Sequence, residues 1–162
     1  MLTNSAPEQT VTAHGKFLSR AGQKFFFKAM RLPDVSATLD FSQKLKLRKR
    51  LDDLKTAHTT GLLLSEAQAQ PCLDLAAQSG LVAIVELRIT SEELMGRRGW
   101  KSALSRIAHT AHIYSRHPAL AGYIIDCEVS QDELRAGGLE NARRRIRSAI
   151  KTIKEFAPEV MV

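Results

Sequence analysis

The chain has few cysteines and no long hydrophobic run, and each of these shortages excludes a class of protein. Two cysteines among 162 residues are too few for the disulfide framework that staples small secreted domains. No apolar run approaches the ~20 residues that a membrane-spanning helix needs, so we predict no such helix. The first residues also lack the hydrophobic core of a secretion signal. A cytoplasmic location is therefore the default expectation.

Signatures of cofactor and metal binding are missing as well. The sequence contains neither a P-loop nor the glycine-rich dinucleotide fingerprint, and we expect no cofactor. His109 and His112 stand three residues apart on a predicted helix, which is one spacing for a zinc pair. Both fall outside the apolar stripe of that helix, and no third ligand converges on them. We interpret them as solvent-facing and predict no metal site.

Acidic residues are outnumbered by basic ones, 17 against 24, which gives a formal net charge of +7. The bases cluster in segments 44–50 and 143–147. Such clusters suit an anionic partner, nucleic acid included. They suit equally well the solvated faces of two amphipathic helices, whose apolar residues recur opposite the charges. Because few aromatic residues interleave with the bases for stacking, we expect no nucleic-acid partner. A basic module for another anionic partner stays open as an alternative function.

The hydrophobic pattern alternates strands with helices. We predict a disordered segment over 1–10 and one domain over 11–162, which begins with a hairpin around Ala21 and Gly22. Pro71 is expected to open the second helix and Gly80 to end it. The predicted strands are 11–20, 23–31, 60–65, 81–89 and 120–129, with a fifth parallel strand beginning at 159–162. The predicted helices are 40–58, 71–78, 100–115 and an arginine-rich helix that ends at Phe156.

This order predicts right-handed βαβ units and a parallel sheet with outer helices. Four units are present, whereas a complete (β/α)8 barrel takes ~250 residues. An open half of a barrel would leave two strand edges unpaired. We therefore expect a longer natural product, a homo-oligomer, or a complementing C-terminal half-barrel. A flattened, flavodoxin-like sheet is the structural alternative.

The stretch from His117 to Glu128 is a turn, then an apolar strand, then a carboxylate where the strand ends. A charged side chain is costly to bury without a partner, so this position indicates a function other than packing. Barrels of parallel strands hold their catalytic groups at that end. Glu128 is the first candidate for a catalytic residue, and the alternative is a helix cap or an arginine partner.

The same stretch, HPALAGYIIDCE, resembles the segment His-Pro-Ser-Val-Ile-Gly-Trp-Ser-Leu-Gly-Asn-Glu of many TIM-barrel glycoside hydrolases. It matches at His117, Pro118, Gly122 and Glu128. The opening VTAHGKFLSRAGQKFFFKAMRL is similar to the hairpin and first strand that begin these barrels. The resemblance implies a partial (β/α)8 barrel, corresponding to the N-terminal half, that acts on oligo- or polysaccharides. It also implies that Glu128 is the acid/base residue for hydrolysis or transfer at a glycosidic bond.

Three departures from the family pattern favour a second interpretation. The family's nucleophile follows the seventh strand, which lies outside these residues. Cys127 stands where the family has an Asn that contacts the sugar, and Leu63 stands where an Arg is common. A catalytically inactive half-barrel that binds sugar or serves in assembly is therefore the alternative function. Among strand residues, we expect Arg31, Cys127, Glu86 and Arg88 to contact substrate, and the alternative for Cys127 is a small buried hydrophobic residue.

Asp126 is a second candidate carboxylate. Residues 126 and 128 point to the same face of a strand, ~6–7 Å apart. That separation is near the range of inverting glycosidases. The alternative is that Asp126 pairs with a base lining the barrel, Arg88 or Arg31. Glu86 and Arg88 also share one face of their strand and are expected to form an interior pair.

Overall fold

The computed structural model of the protein describes residues 11–14, 17–32 and 38–162. The segment 1–10, predicted to be disordered, lies outside the described residues. Within these ranges seven strands form two sheets, one antiparallel and one parallel. None of the helices in the described ranges has both the length and the apolar character needed to cross a membrane.

The antiparallel sheet is a three-stranded meander. Its strands are β1 (Val11–His14), β2 (Phe17–Arg20) and β3 (Gln23–Phe25). The predicted turn is confirmed, because Ala21 and Gly22 both have the positive φ of a tight hairpin, 50° and 74°. The continuous arms predicted over 11–20 and 23–31 are wrong. The first divides into β1 and β2, and the chain leaves the meander after β3 to enter the other sheet.

The parallel sheet contains β4 (Ala29–Arg31), β5 (Gly61–Ser65), β6 (Val82–Thr90) and β7 (Leu120–Glu128), in that order. Every neighbouring pair is parallel. The predicted fifth strand is limited to one bridge, in which the Tyr123 N–H donates to the Met161 carbonyl at 2.8 Å. The sequential strand order differs from that of a doubly wound sheet, so the flavodoxin-like alternative is wrong.

In the part of the chain that the structure describes, six helices connect and follow these strands. They are α1 (Phe41–Thr56), α2 (Glu66–Gln78), α3 (Ser91–Met95), α4 (Arg97–Tyr114), α5 (Gln131–Gly137) and α6 (Leu139–Phe156). The predicted start of α2 at Pro71 is wrong, since the helix begins directly after Ser65. The Gln68 side chain accepts the Ser65 N–H at 2.8 Å and satisfies the helix N-terminus there. The arginine-rich helix predicted to end at Phe156 is confirmed as α6. The short α5 before it was not predicted, and Gly138, whose φ is +85°, separates the two helices.

The helices cover one face of the parallel sheet. Along β6, Val85, Leu87 and Ile89 are fully buried in the main core against the helices. The alternate residues Glu86 and Arg88 lie on the opposite face, as the two-residue period of a strand requires. We call this opposite side the open face. At the amino ends of the strands the meander packs against it, in a smaller cluster that includes Val11, Val82 and Ala121.

Candidate functional site

The candidate site lies on the open face, where β6 and β7 end. The parallel register places Arg88 beside Asp126 and Thr90 beside Glu128. Glu128 is the last residue of β7. Residues that are register partners in neighbouring strands share a face, so Arg88, Asp126 and Glu128 point to the same side. The structure therefore brings together three of the predicted site residues at the carboxyl edge of the sheet.

Arg88 contacts both carboxylates. Its Nη2 atom lies 3.1 Å from Glu128 Oε1, and its Nε atom lies 3.9 Å from Asp126 Oδ2. Asp126 therefore pairs with Arg88, as its alternative interpretation predicted. The three side chains are 62% (Arg88), 58% (Glu128) and 40% (Asp126) exposed. Exposed ion pairs stabilise a fold by only ~0–1 kcal/mol, so this cluster contributes little to folding stability.

Arg31 forms a second ion pair on the same face, and its partner is Glu86. Arg31 ends β4, and both of its terminal guanidinium nitrogens donate to the Glu86 carboxylate. The hydrogen bond to Glu86, together with the charge of that carboxylate, raises the pKa of Arg31. The predicted interior pair between Glu86 and Arg88 is wrong. Neighbouring strands compete for these side chains: Glu86 binds a residue of β4, and Arg88 binds residues of β7.

Cys127 lies on the other side of β7. Its side chain packs against the main core with the helices, and burial raises the pKa of its thiol. Leu63, at the position where the resembling family has an arginine, is a register partner of Arg31 on the open face. Cys127 therefore does not share the face of Arg88 and Glu128, whereas Leu63 contributes an apolar side chain to that face.

Arg106 of α4 supports the site from the helix layer. Its Nη2 atom donates to the Arg88 carbonyl at 2.8 Å and to Glu93 Oε1 at 3.2 Å. Arg106 also pairs with Glu66, whose carboxylate accepts the Thr110 hydroxyl. This half-buried network fixes the backbone of Arg88 at the end of β6. Sequence reasoning missed it, because Glu66 precedes Arg106 by 40 positions and no local pattern joins the two residues.

The histidines lie elsewhere. His109 is exposed, and the His112 ring contacts Phe156 edge-on at a centroid distance of 5.5 Å. His117 Nε2 lies 3.1 Å from Asp74 Oδ1, while its Nδ1 atom accepts the Ala119 N–H at 3.2 Å. His117 therefore fixes the turn before β7. Within the described ranges, no group of three or more His, Cys, Asp or Glu residues is arranged to hold a metal ion.

The geometry permits polar chemistry on a ligand that approaches the carboxyl edge. Two exposed carboxylates and one guanidinium converge there, and all three groups form strong hydrogen bonds to hydroxyl groups. A protonated carboxyl at this edge can donate its proton to an oxygen of a bound ligand. Arg31 is 60% exposed and provides further donors on the same face, whereas Glu86 is 11% exposed and both of its carboxylate oxygens accept from Arg31.

No protein-family model matches the chain, and no curated protein does. Solved structures do match. A calcium-binding mutant of β-glucuronidase 2 from Bacteroides uniformis aligns with 90% of this chain at 14% identity and a TM-score of 0.66. A glycoside hydrolase of family 5 from Bacteroides vulgatus aligns with 93% of it at 12% identity and a TM-score of 0.65.

The aligned region is a small part of each neighbour. The chain spans 19% of the length of the glucuronidase structure and 38% of the family 5 structure. At these identities the likeness concerns the fold. The chain has the α/β fold of a partial TIM barrel, with four parallel strands and outer helices, and its structural neighbours are glycoside hydrolases.

Proposed function

We propose that this chain supplies the acid/base half of a carbohydrate-active site. The reaction is hydrolysis or transfer at a glycosidic bond of an oligo- or polysaccharide, and the nucleophile comes from sequence outside residues 1–162. The position of Glu128 carries this proposal. Glu128 ends β7 on the open face and is 58% exposed, at the edge where barrel enzymes keep their catalytic groups.

Each residue of the cluster has a part in the proposed reaction. Glu128 in its acid form donates a proton to the glycosidic oxygen as the bond breaks. Arg88, 3.1 Å away, then balances the charge of the carboxylate that remains. Asp126 contacts the same guanidinium and is the candidate for a second carboxylate. Arg31, which Glu86 holds in place, offers further hydrogen bonds to sugar hydroxyls. We do not assign Cys127 to the substrate, since it packs on the helix side.

Glu128→Gln in the protein as its own cells produce it tests the proposal. We expect kcat/KM on an unactivated oligosaccharide to fall by about 10²–10⁴-fold. The loss should be much smaller on an aryl glycoside whose leaving group departs without a proton. Glu140→Gln on the exposed surface of α6 is the matched control and should retain full activity. Equal activity of wild type and Glu128→Gln on the oligosaccharide would exclude the acid/base role.

A second candidate function is sugar binding without catalysis. The observation that favours it is the pairing of Arg88 with both carboxylates. Leu63, on the same face, also offers no hydrogen bond. In that case the wild type binds an oligosaccharide and turns none over. Isothermal titration should then give the same affinity for the wild type and Glu128→Gln, and product analysis by chromatography should find no cleavage in either.

A further inference from the structure

The outer side of α1 exposes two large apolar side chains. Phe41 is 83% exposed and Leu45 is 61% exposed, and they stand four residues apart, one helical turn. The opposite side of the same helix is buried in the main core through Leu47 and Leu51. Packing of α1 on the sheet therefore does not explain why these two side chains are there. Leaving two large apolar side chains exposed to water costs free energy.

Bases surround this apolar pair. All of them are exposed, and within the described ranges none forms an ion pair. They are Lys44, Lys46, Arg48 and Lys49. Asp52 lies beside Arg48 and Lys49 on the same side of the helix, and every charged residue of α1 before Asp52 is basic. We call Phe41, Leu45 and these four bases the α1 face.

We infer that the α1 face docks on an anionic membrane surface. Apolar side chains ringed by Lys and Arg are the pattern of helices that lie in the headgroup region of a bilayer. Phe41 and Leu45 would bury their side chains at the boundary with the acyl chains. Each base close to anionic headgroups strengthens the attraction about fivefold. The inference goes beyond the proposed function and does not depend on it.

Charge and shape favour lipid over nucleic acid. Contacts between phosphates and Lys or Arg leave neighbouring apolar side chains in water, whereas a lipid surface buries them. Phe41 is also the single aromatic residue of α1, so a run of bases would find no series of stacking partners. The α1 face lies on the helix layer, and the candidate site lies on the open face. A docked chain would keep the edge around Glu128 accessible.

Vesicle binding tests the inference. The chain is sedimented with vesicles of phosphatidylcholine alone and of phosphatidylcholine mixed with phosphatidylserine, at low and at high salt. We expect binding to the mixed vesicles at low salt, and weakening as salt screens the charges. Arg48→Gln with Lys49→Gln should lower the partition coefficient by about 25-fold. Phe41→Ser with Leu45→Ser should lower it about tenfold or more.

Matched controls distinguish binding by the α1 face from the effects of net charge and of exposed apolar side chains elsewhere. Arg97→Gln with Arg98→Gln removes the same charge from exposed positions of α4, and Phe26→Ser removes another exposed phenylalanine. Both should bind within twofold of wild type, and circular dichroism confirms that each variant folds. Three outcomes overturn the inference: no binding to mixed vesicles, equal losses in the controls, or binding to duplex DNA in place of vesicles.

Discussion

Gly61, at the start of β5, has no space for a side chain. A Cβ atom at this position would stand 2.1 Å from Cε2 of Phe27, whose ring crosses the strand on the open face. We expect Gly61→Ala to displace that ring and to lower the free energy of unfolding by about 1–3 kcal/mol. Urea denaturation measures this loss, with the midpoint falling and the slope unchanged.

The partner of this contact provides its control. In a Phe27→Ala background the obstacle is gone, so adding Gly61→Ala should cost less than ~1 kcal/mol. The difference between the two backgrounds is the energy of the close approach. A loss of equal size in both backgrounds would mean that backbone conformation, and not Phe27, requires the glycine.

Cys72 introduces a dependence on alkaline pH. Burial raises the pKa of its thiol to about 11, above the ~8.5 of an exposed thiol. The folded state therefore favours the protonated thiol. Its contribution to stability is complete below pH ~8.5 and is lost as the pH rises toward about 11. Cys72→Ala should show a flatter decline of the unfolding free energy across this window. Parallel declines for wild type and variant in urea titrations would contradict this assignment.

The network around Arg106 connects elements that local sequence does not relate. Its partners Glu66 and Glu93 are only 23% and 24% exposed, so removing the guanidinium leaves two half-buried carboxylates without a counter-charge. We expect Arg106→Met to lower the free energy of unfolding by about 1–3 kcal/mol. Thermal and urea unfolding measure the effect.

An exposed pair is the matched control for Arg106. Arg135 contacts Asp132 within α5 at 3.5 Å, and both side chains are largely exposed. Arg135→Met should change the free energy of unfolding by less than ~0.5 kcal/mol. A similar loss in both variants would show that the network at Arg106 stabilises the fold no more than an exposed ion pair does.

The strands and helices that a local pattern specifies were predictable from the sequence. The apolar run that ends at Glu128 predicts β7, and the Ala21–Gly22 turn predicts the hairpin. Pro71 misled the prediction for α2, since a proline is common at a helix start. The cap at Ser65 moves the start five residues earlier, and the helix accommodates the proline.

The partners of the charged residues were predicted less well than the face on which they lie. Period-two alternation places Glu86 and Arg88 on one face of β6. Which charge each side chain binds depends on strand order and register, because Arg31 and Glu86 are 55 positions apart. The substrate contact expected for Cys127 from its place next to Glu128 is wrong, because alternation along β7 packs its side chain against the core, as its alternative interpretation predicted.

At the scale of the molecule, the two sides of the sheet differ in character. The helix side encloses the main core and carries the basic surfaces of α1 and α6. The open face carries paired charges of both signs beside partly exposed apolar side chains, Ile84 and Ile124 among them. In the described ranges, β4 pairs on one side alone, and β7 gains only the bridge from Met161. Such an edge and face favour association.

Residues 1–162 should therefore self-associate as their concentration rises. Ile124, on the open face of β7, is 41% exposed. We expect Ile124→Lys to shift the chain toward the monomer, since a charge on an open strand opposes pairing between sheets. Ile113 on α4 is 52% exposed, and Ile113→Lys is the matched control that should leave association unchanged. Light scattering during size-exclusion chromatography measures the mass. A wild-type chain that stays monomeric at every concentration would contradict this prediction, because the open face would then remain exposed to water without association.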